Sequence, residues 1–195
     1  MINKKDGKIV SKEYSKIINK QYAKDIDKIE QEYRKKCAVQ LHNFIEEKEF
    51  ERILRIILDL RFTRTVVPDK YSYQTAQIPT VIRSMFNELN PFLKKVTGKV
   101  IRHILIEMFQ PGDYTLRKSD GKKENRREVI LDFATIDEKC GGYSSIVNDD
   151  GEIFRFCPSA NTLTILDIKK DQDYFVKYLN SRTHNPRLII RLELY

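Results

Sequence analysis

The sequence has no tryptophan, and it has only three cysteines and three histidines among 195 residues. The cysteines, Cys37, Cys140 and Cys157, are odd in number, lie far apart and form no CxxC pair. This pattern indicates free thiols in a reducing compartment. It also argues against a zinc knuckle or ribbon, which needs closely spaced pairs of ligands.

Long apolar runs are missing as well. No stretch approaches the roughly 20 apolar residues that a membrane-spanning helix needs. Residues 1–8 contain no apolar segment long enough for a secretory signal. We therefore expect no membrane partner, and we expect a cytoplasmic or nuclear location, or both.

Positive charge is in excess, with 36 lysines and arginines against 28 aspartates and glutamates and a formal net charge of +8. Such a chain is attracted to polyanions, including RNA and the ribosome. The signal is not specific, because a lysine-rich composition can also reflect the base composition of the gene. A basic module that binds RNA or the ribosome therefore stays open as one alternative function.

The first half of the sequence has helical periodicity up to about residue 98. Residues 11–36 carry a narrow apolar stripe at spacings of three and four, which predicts a helix that docks on its own domain rather than on a partner. Further helices are predicted for residues 49–61 and from Pro79, with a loop over residues 66–71 between them. Gly98 is a natural helix stop.

The second half is typical of short alternating strands separated by turns. Eight strands are predicted, at residues 100–109, 113–117, 126–134, 143–147, 152–157, 162–168, 173–179 and 187–195. Eight strands with frequent turns indicate a closed barrel or jelly roll. The predicted fold class is α+β, a double-stranded β-helix (jelly roll) of about eight strands that amphipathic helices precede and cover.

Four blocks in this half carry a resemblance to a known family. They are FQPGDYTL at 109–116, GGY at 141–143, PSANTL at 158–163 and FVKYLN at 175–180. In this order and spacing they resemble the C-terminal jelly-roll domain of the two-domain ribosomal prolyl hydroxylases, in the 2-oxoglutarate/Fe(II) dioxygenase superfamily. The match covers residues 38–195, and residues 1–37 are interpreted as a basic helical extension.

The resemblance implies a non-catalytic function. In that family the N-terminal roll is catalytic, and the C-terminal roll has lost its metal site and serves structure or partner binding. This chain is expected to be the second roll standing alone, a protein-interaction domain that acts in or near translation. Expected partners are ribosomal or translation-termination components, or a separate catalytic subunit. The alternative is a peptidyl-proline hydroxylase that uses Fe(II) and 2-oxoglutarate.

The ligand pattern implied by the resemblance is not filled here, so no catalytic or metal residue is expected. A His-x-Asp pair is replaced by Lys118 and Asp120, and an ammonium group would repel Fe(II). The distal histidine is replaced by Val176, which has no donor atom. Arg187, or Arg191, lies near the position of the arginine that binds 2-oxoglutarate. We interpret Lys118, Asp120, Val176 and Arg187 as positions of a vestigial pocket. The alternative for Arg187, which we favour, is a basic residue that starts an exposed strand end.

The histidines themselves do not form a His-x-Asp motif. We expect His42 on a helix and His103 on a strand, each packed or at the surface. His184 is expected in a polar loop. Asp149 and Asp150 suit a hairpin turn rather than a metal site.

Overall fold

The computed structural model describes residues 16–116 and 125–195. Within these ranges the helices are α1 (Lys20–Lys24), α2 (Ile26–Lys36), α3 (Glu47–Leu58), α4 (Thr80–Asn87) and α5 (Asn90–Thr97). The strands are β1 (Ala38–His42), β2 (Phe62–Val67), β3 (Tyr71–Ala76), β4 (Ile101–Phe109), β5 (Tyr114–Thr115), β6 (Arg126–Asp132), β7 (Ser144–Asn148), β8 (Gly151–Phe156), β9 (Thr162–Ile168), β10 (Asp173–Val176) and β11 (Arg187–Leu194).

The strands form one curled antiparallel sheet in the order β1-β9-β6-β11-β4-β3-β5-β10-β7-β8, with β2 paired to β3. Strand β3 lies at the bend, because its first residues pair with β5 and its last residues pair with β4. The sheet therefore divides into two layers. Side chains from both layers, among them Ile130 and Ile189 on one and Ile146 and Val176 on the other, share a buried apolar cluster inside the roll.

The helices cover the outer face of the larger layer. Alternate residues of β6 and β11, such as Val129 and Ile190, pack in one cluster with Ile53 of α3 and Phe92 of α5. The apolar stripe of α2 joins the same cluster through Ile29 and others, so its predicted docking on its own domain is confirmed.

The helical prediction for the first half is wrong in three places, because β1, β2 and β3 lie there. The predicted loop over residues 66–71 contains the turn of the β2–β3 hairpin, where Asp69 adopts a positive φ of 58°. Strand β2 is rich in threonine and valine, whose branched side chains favour strands. His42 ends β1 and does not lie on a helix.

The predicted helix over residues 11–36 is divided at Asp25 into α1 and α2, and residues 11–15 lie outside the described residues. Cys37 adopts a left-handed conformation and ends α2. The eight strands predicted after residue 98 are all present, and β1–β3 raise the number above eight. None of the helices in the described part of the chain is long and apolar enough to cross a membrane.

Candidate functional site

The end of the roll where β11 begins brings five strands together. Arg187, the first residue of β11, lies opposite Phe109 at the end of β4. Strand β6 ends at Asp132, and the Arg187 side chain contacts it. Strand β7 begins at Ser144, which lies opposite Val176 of β10. We call Asp132, Ser144, Val176 and Arg187 the mouth of the roll.

The Arg187 side chain makes four hydrogen bonds at the mouth. Its Nε donates to Oδ1 of Asp132 at 2.8 Å, and its Nη2 donates to Oδ2 at 3.2 Å. Its Nη1 donates to the carbonyl oxygen of Gly142 at 2.8 Å and to Oγ of Ser144 at 2.7 Å. Four of the five N–H groups of the guanidinium are thus engaged.

The prediction that Arg187 starts an exposed strand end is therefore wrong, because its side chain is fully buried. Burial is tolerated because the Asp132 carboxylate neutralises the charge and accepts both bonds of the planar fork. Burial raises the pKa of Asp132, and Arg187 opposes that rise. Burial is the largest influence on Arg187 and acts to lower its pKa, but Asp132, Tyr174 and Glu107 together outweigh it and raise that pKa.

Ser144 extends the contact to Tyr174 of β10. The hydroxyl oxygens of Ser144 and Tyr174 lie 2.9 Å apart, and both side chains are buried. Burial is the largest influence on Tyr174, and it raises the pKa of the phenol to about 12, although Arg187 acts in the opposite direction. The mouth is thus closed by a connected polar network from Asp132 through Arg187 and Ser144 to Tyr174.

We expect this buried phenol to make the fold sensitive to alkali. The folded-state pKa of Tyr174 lies above the value of about 10 in the unfolded chain. The neutral Tyr174 phenol therefore contributes fully to the free energy of unfolding below pH 10. That contribution is lost as the pH rises towards 12, by roughly 1.4 kcal/mol for each pH unit. Urea unfolding measured from pH 8 to pH 12 checks this decline. The slope should be smaller in Tyr174→Phe, although not zero, because burial also raises the pKa of Tyr33 to about 12. An unchanged slope would contradict the assignment.

Val176 lies at the position predicted to correspond to the distal histidine. Its backbone N–H donates to Oγ1 of Thr115 at 2.7 Å, and its side chain is buried among apolar neighbours that include Phe109 and Ile146. Lys118 and Asp120 lie outside the described residues. Of the four predicted pocket positions, Val176 and Arg187 are therefore the two that the structure places. It brings them together through Ser144.

Arg191, the second candidate for the arginine position, also faces the interior of the roll. Its Nη2 lies 2.5 Å from Oε1 of Glu107, and its Nη1 lies 3.9 Å from Oε2 of Glu128. Sequence reasoning missed the two interior carboxylates of β6, Glu128 and Asp132. Their spacing was a usable signal, because they flank Ile130 at alternate positions on the face opposite Val129 and Leu131.

The described chain superposes on several solved structures. A prolyl hydroxylase from Trichoplax adhaerens, in complex with a hypoxia inducible factor oxygen degradation domain peptide fragment, matches with a TM-score of 0.70 and 13% identity over 90% of this chain and 92% of that one. An oxidoreductase of the 2OG-Fe(II) oxygenase family from Burkholderia pseudomallei matches with a TM-score of 0.68 and 13% identity over 87% and 90% of the two chains. A prolyl-4-hydroxylase from Pseudomonas putida matches with a TM-score of 0.67 and 11% identity over 87% and 98%.

The chain has the 2OG-Fe(II) oxygenase fold. The predicted jelly roll is confirmed at this level. No protein-family model matches the sequence, and a search of curated proteins found no match.

Among the residues that the structure describes, the side chains do not suit a ferrous centre held by two imidazoles and a carboxylate. His42 ends β1 with its Nδ1 3.1 Å from Oγ1 of Thr162. His103 is exposed on β4, and His184 is exposed in the segment before β11. Across residues 16–116 and 125–195, no group of three histidine, cysteine, aspartate or glutamate side chains could hold a metal ion.

Proposed function

We propose that this chain is a non-catalytic binding domain on the 2OG-Fe(II) oxygenase fold, and that its ligand is a protein partner. The observation that carries the proposal is the ion pair at the mouth. Arg187, the residue that would receive the co-substrate, already holds the carboxylate of Asp132 at 2.8 Å.

The geometry of this pair opposes binding of 2-oxoglutarate. A dicarboxylate would need the Nε and Nη2 edge or the Nη1 and Nη2 edge of Arg187 for a two-pronged contact, and Asp132 accepts from both Nε and Nη2. Gly142 and Ser144 accept from Nη1. Entry of the co-substrate would leave Asp132 buried without a partner, and an unpaired buried charge costs several kcal/mol.

The apolar packing around Val176 supports the same proposal. An isopropyl group cannot donate an electron pair to a metal, and here it is packed against aromatic and aliphatic neighbours inside the roll. A metal ligand lost at Val176 could be replaced by a histidine on another strand. The three histidines, however, lie on β1, on β4 and in the segment before β11, and not together.

A protein partner is favoured by the fold and by the motif blocks. A structure with this fold, the Trichoplax adhaerens prolyl hydroxylase, is in complex with a peptide fragment. The resemblance to the C-terminal domain of ribosomal prolyl hydroxylases points to ribosomal or translation-termination components, or to a separate catalytic subunit. The net charge of +8 would speed encounter with such partners in a salt-dependent way.

The first test measures binding of metal and co-substrate. The purified chain is titrated under anaerobic conditions with Fe(II), or with Mn(II) as a redox-inert substitute, in the presence of 2-oxoglutarate. A ligand at 100 times its dissociation constant stabilises a fold by about 2.7 kcal/mol. We expect no shift in the thermal unfolding midpoint beyond that caused by metal alone, and no release of succinate. Stoichiometric iron with succinate release would overturn the proposal and favour the prolyl hydroxylase alternative.

The second test identifies the partner with the whole chain. Residues 17–36 belong to the core through Ile17, Ile26, Ile29 and Tyr33, so a deletion of residues 1–36 would remove core side chains as well as the extension. Purified ribosomal subunits and release factors are therefore offered to the full chain over a range of salt concentrations. Saturable binding to one of them supports the proposal. Binding to none of them would contradict the assignment to translation.

A further inference from the structure

We infer that the end of the roll opposite the mouth is a binding site for single-stranded RNA. A cavity of about 500 Å³ opens there, where β11 ends and β6 begins. Its wall contains the cationic side chains of Lys99, Arg126, Arg127 and Arg191. This inference goes beyond the proposed function, and it holds whether or not the mouth binds a metal.

The cavity and the mouth lie at opposite ends of the same strand. Strand β11 runs for eight residues from Arg187 at the mouth to Leu194 at the cavity. At about 3.3 Å for each residue, the two ends are separated by roughly 23 Å. Strand β6 repeats the arrangement, with Asp132 at the mouth and Arg126 at the cavity. A ligand in the cavity therefore does not reach the vestigial pocket.

Two of the four cations in the cavity wall already have partners. Arg127 donates through Nη1 to the carbonyl oxygen of Thr97 at 2.7 Å, and its Nε lies 3.5 Å from Asp167. Arg191 is bound to Glu107 and approached by Glu128. These two arginines shape the wall, and they leave little charge for an external ligand.

The other two cations are available to an incoming anion. Lys99 is exposed, and the structure gives it no carboxylate partner within the described ranges. Among the described carboxylates, the one nearest to Arg126 is Glu128, at 3.7 Å, and 39% of the Arg126 side chain is exposed. Ion pairs this loose contribute little, so an incoming phosphate would compete easily for Arg126.

Two more lysines extend the basic surface at the rim. Lys169 and Lys170 follow the end of β9, and both are exposed. The backbone N–H of Lys170 donates to Oδ1 of Asn125 at 3.1 Å, which places this turn beside Arg126. The acidic residues at this end are Glu128, Asp167 and Glu193 in the wall and Asp171 in the turn. The six cations of the wall and the turn outnumber these four carboxylates, so the patch has a small net positive charge.

An exposed aromatic ring completes the site. The Arg102 guanidinium lies 4.1 Å from the centroid of the Tyr195 ring, and 60% of Tyr195 is exposed. An arginine on one face of a ring leaves the other face available for a base, and bases of single strands stack on aromatic rings in this way. The cavity, the cations of Lys99 and Arg126 and the Tyr195 ring together match the phosphates and bases of an unpaired strand. A membrane surface is flat, and it would not enter a cavity.

The test uses a fluorescein-labelled 12-nucleotide oligouridylate and measures its anisotropy against protein concentration. The test variant is Lys99→Gln/Arg126→Gln/Lys170→Gln. A matched control, Lys48→Gln/Arg83→Gln/Lys177→Gln, removes the same charge from exposed positions on α3, on α4 and after β10. Thermal unfolding of both variants verifies that the fold is intact.

We expect the test variant to bind at least tenfold more weakly near 0.1 M salt, and the control to bind nearly as the parent does. The slope of log affinity against log salt should fall by about 2 in the test variant, since each phosphate contact on a single strand contributes about 0.7. Tyr195→Ala should weaken binding and leave the slope unchanged, because stacking releases no counterions. Equal losses in the test and control variants would overturn the site.

Two competitors separate RNA from other polyanions. Poly-aspartate and vesicles of phosphatidylserine are each added at the same concentration of negative charge as unlabelled oligouridylate. If the RNA displaces the probe at lower concentration than either competitor, the assignment stands. If poly-aspartate or the vesicles compete as well as RNA does, the surface is a general anion patch and the RNA site is rejected.

Discussion

Replacement of Asp132 by asparagine is expected to lower the free energy of unfolding by about 3–5 kcal/mol. The amide has nearly the shape of the carboxylate, but it leaves the Arg187 guanidinium fully buried without a counter-charge. Most of the loss comes from that unpaired charge rather than from the missing hydrogen bond. Urea unfolding followed by circular dichroism measures it.

A double replacement separates the two causes. In Asp132→Leu/Arg187→Met neither charge remains, and apolar groups fill the mouth, so most of the lost stability should return. Recovery is not expected to be complete, because the Gly142 carbonyl loses its donor. Glu49→Gln is the control, since the Arg52–Glu49 pair is a surface pair at 3.3 Å and should contribute little. If Asp132→Asn were as mild as Glu49→Gln, the ion pair would not hold the mouth closed.

The period of the strands made the roll predictable from sequence. Strands were predicted at residues 126–134 and 187–195, and β6 and β11 lie there, with Val129 and Ile190 in the core beneath the helices. The β2–β3 hairpin was missed because residues 66–71 contain Pro68 and Asp69, which indicate a loop as strongly as a turn. A short run such as β1 cannot be distinguished from helix without its partner strand β9.

The motif blocks that carry the resemblance prove to be structural in this chain. The N–H of Gly112 donates to the carbonyl oxygen of Leu179 at 2.8 Å, which joins the first block to the fourth. The N–H of Gly142 donates to the carbonyl oxygen of Lys177 at 3.1 Å, which joins the second block to the fourth. In the third block, Oδ1 of Asn161 accepts a hydrogen bond from the N–H of Ile45, and Nδ2 of Asn161 donates one to the carbonyl oxygen of Ile45. The blocks thus specify how the turns of the roll meet.

The chemistry of the mouth was not predictable from local sequence. Asp132 and Arg187 are 55 residues apart, and no periodicity relates them. Their contact exists because β6 and β11 are antiparallel neighbours in the sheet, so that β6 ends where β11 begins. An arginine at the start of a strand has the same local pattern whether it is exposed or neutralised by a distant carboxylate. Pairing between strands decides which of the two it is.

Gly141, beside the mouth, should tolerate substitution least among the glycines that the structure describes. Its φ is +74°, and a Cβ atom there would lie 2.0 Å from the backbone carbonyl oxygen of Tyr178. Backbone cannot rotate away as a side chain can, so Gly141→Ala must displace the segment after β10. We expect a loss of stability of more than about 3 kcal/mol, in the range that only severe steric or polar defects reach.

Gly98→Ala provides the matched control for this prediction. Gly98 has a φ of +75°, but nothing lies within 4 Å of a Cβ placed there. Its substitution therefore measures the cost of the left-handed conformation alone, about 1–2 kcal/mol. The excess in Gly141→Ala reports the clash, and urea unfolding of both variants gives it directly. Because Gly142 accepts a bond from Arg187, the displaced segment should also weaken the hold on that guanidinium. If the two variants lost equal free energy of unfolding, the segment after β10 would move at no cost. The mouth could then open to admit a ligand, which would contradict its closure by the polar network.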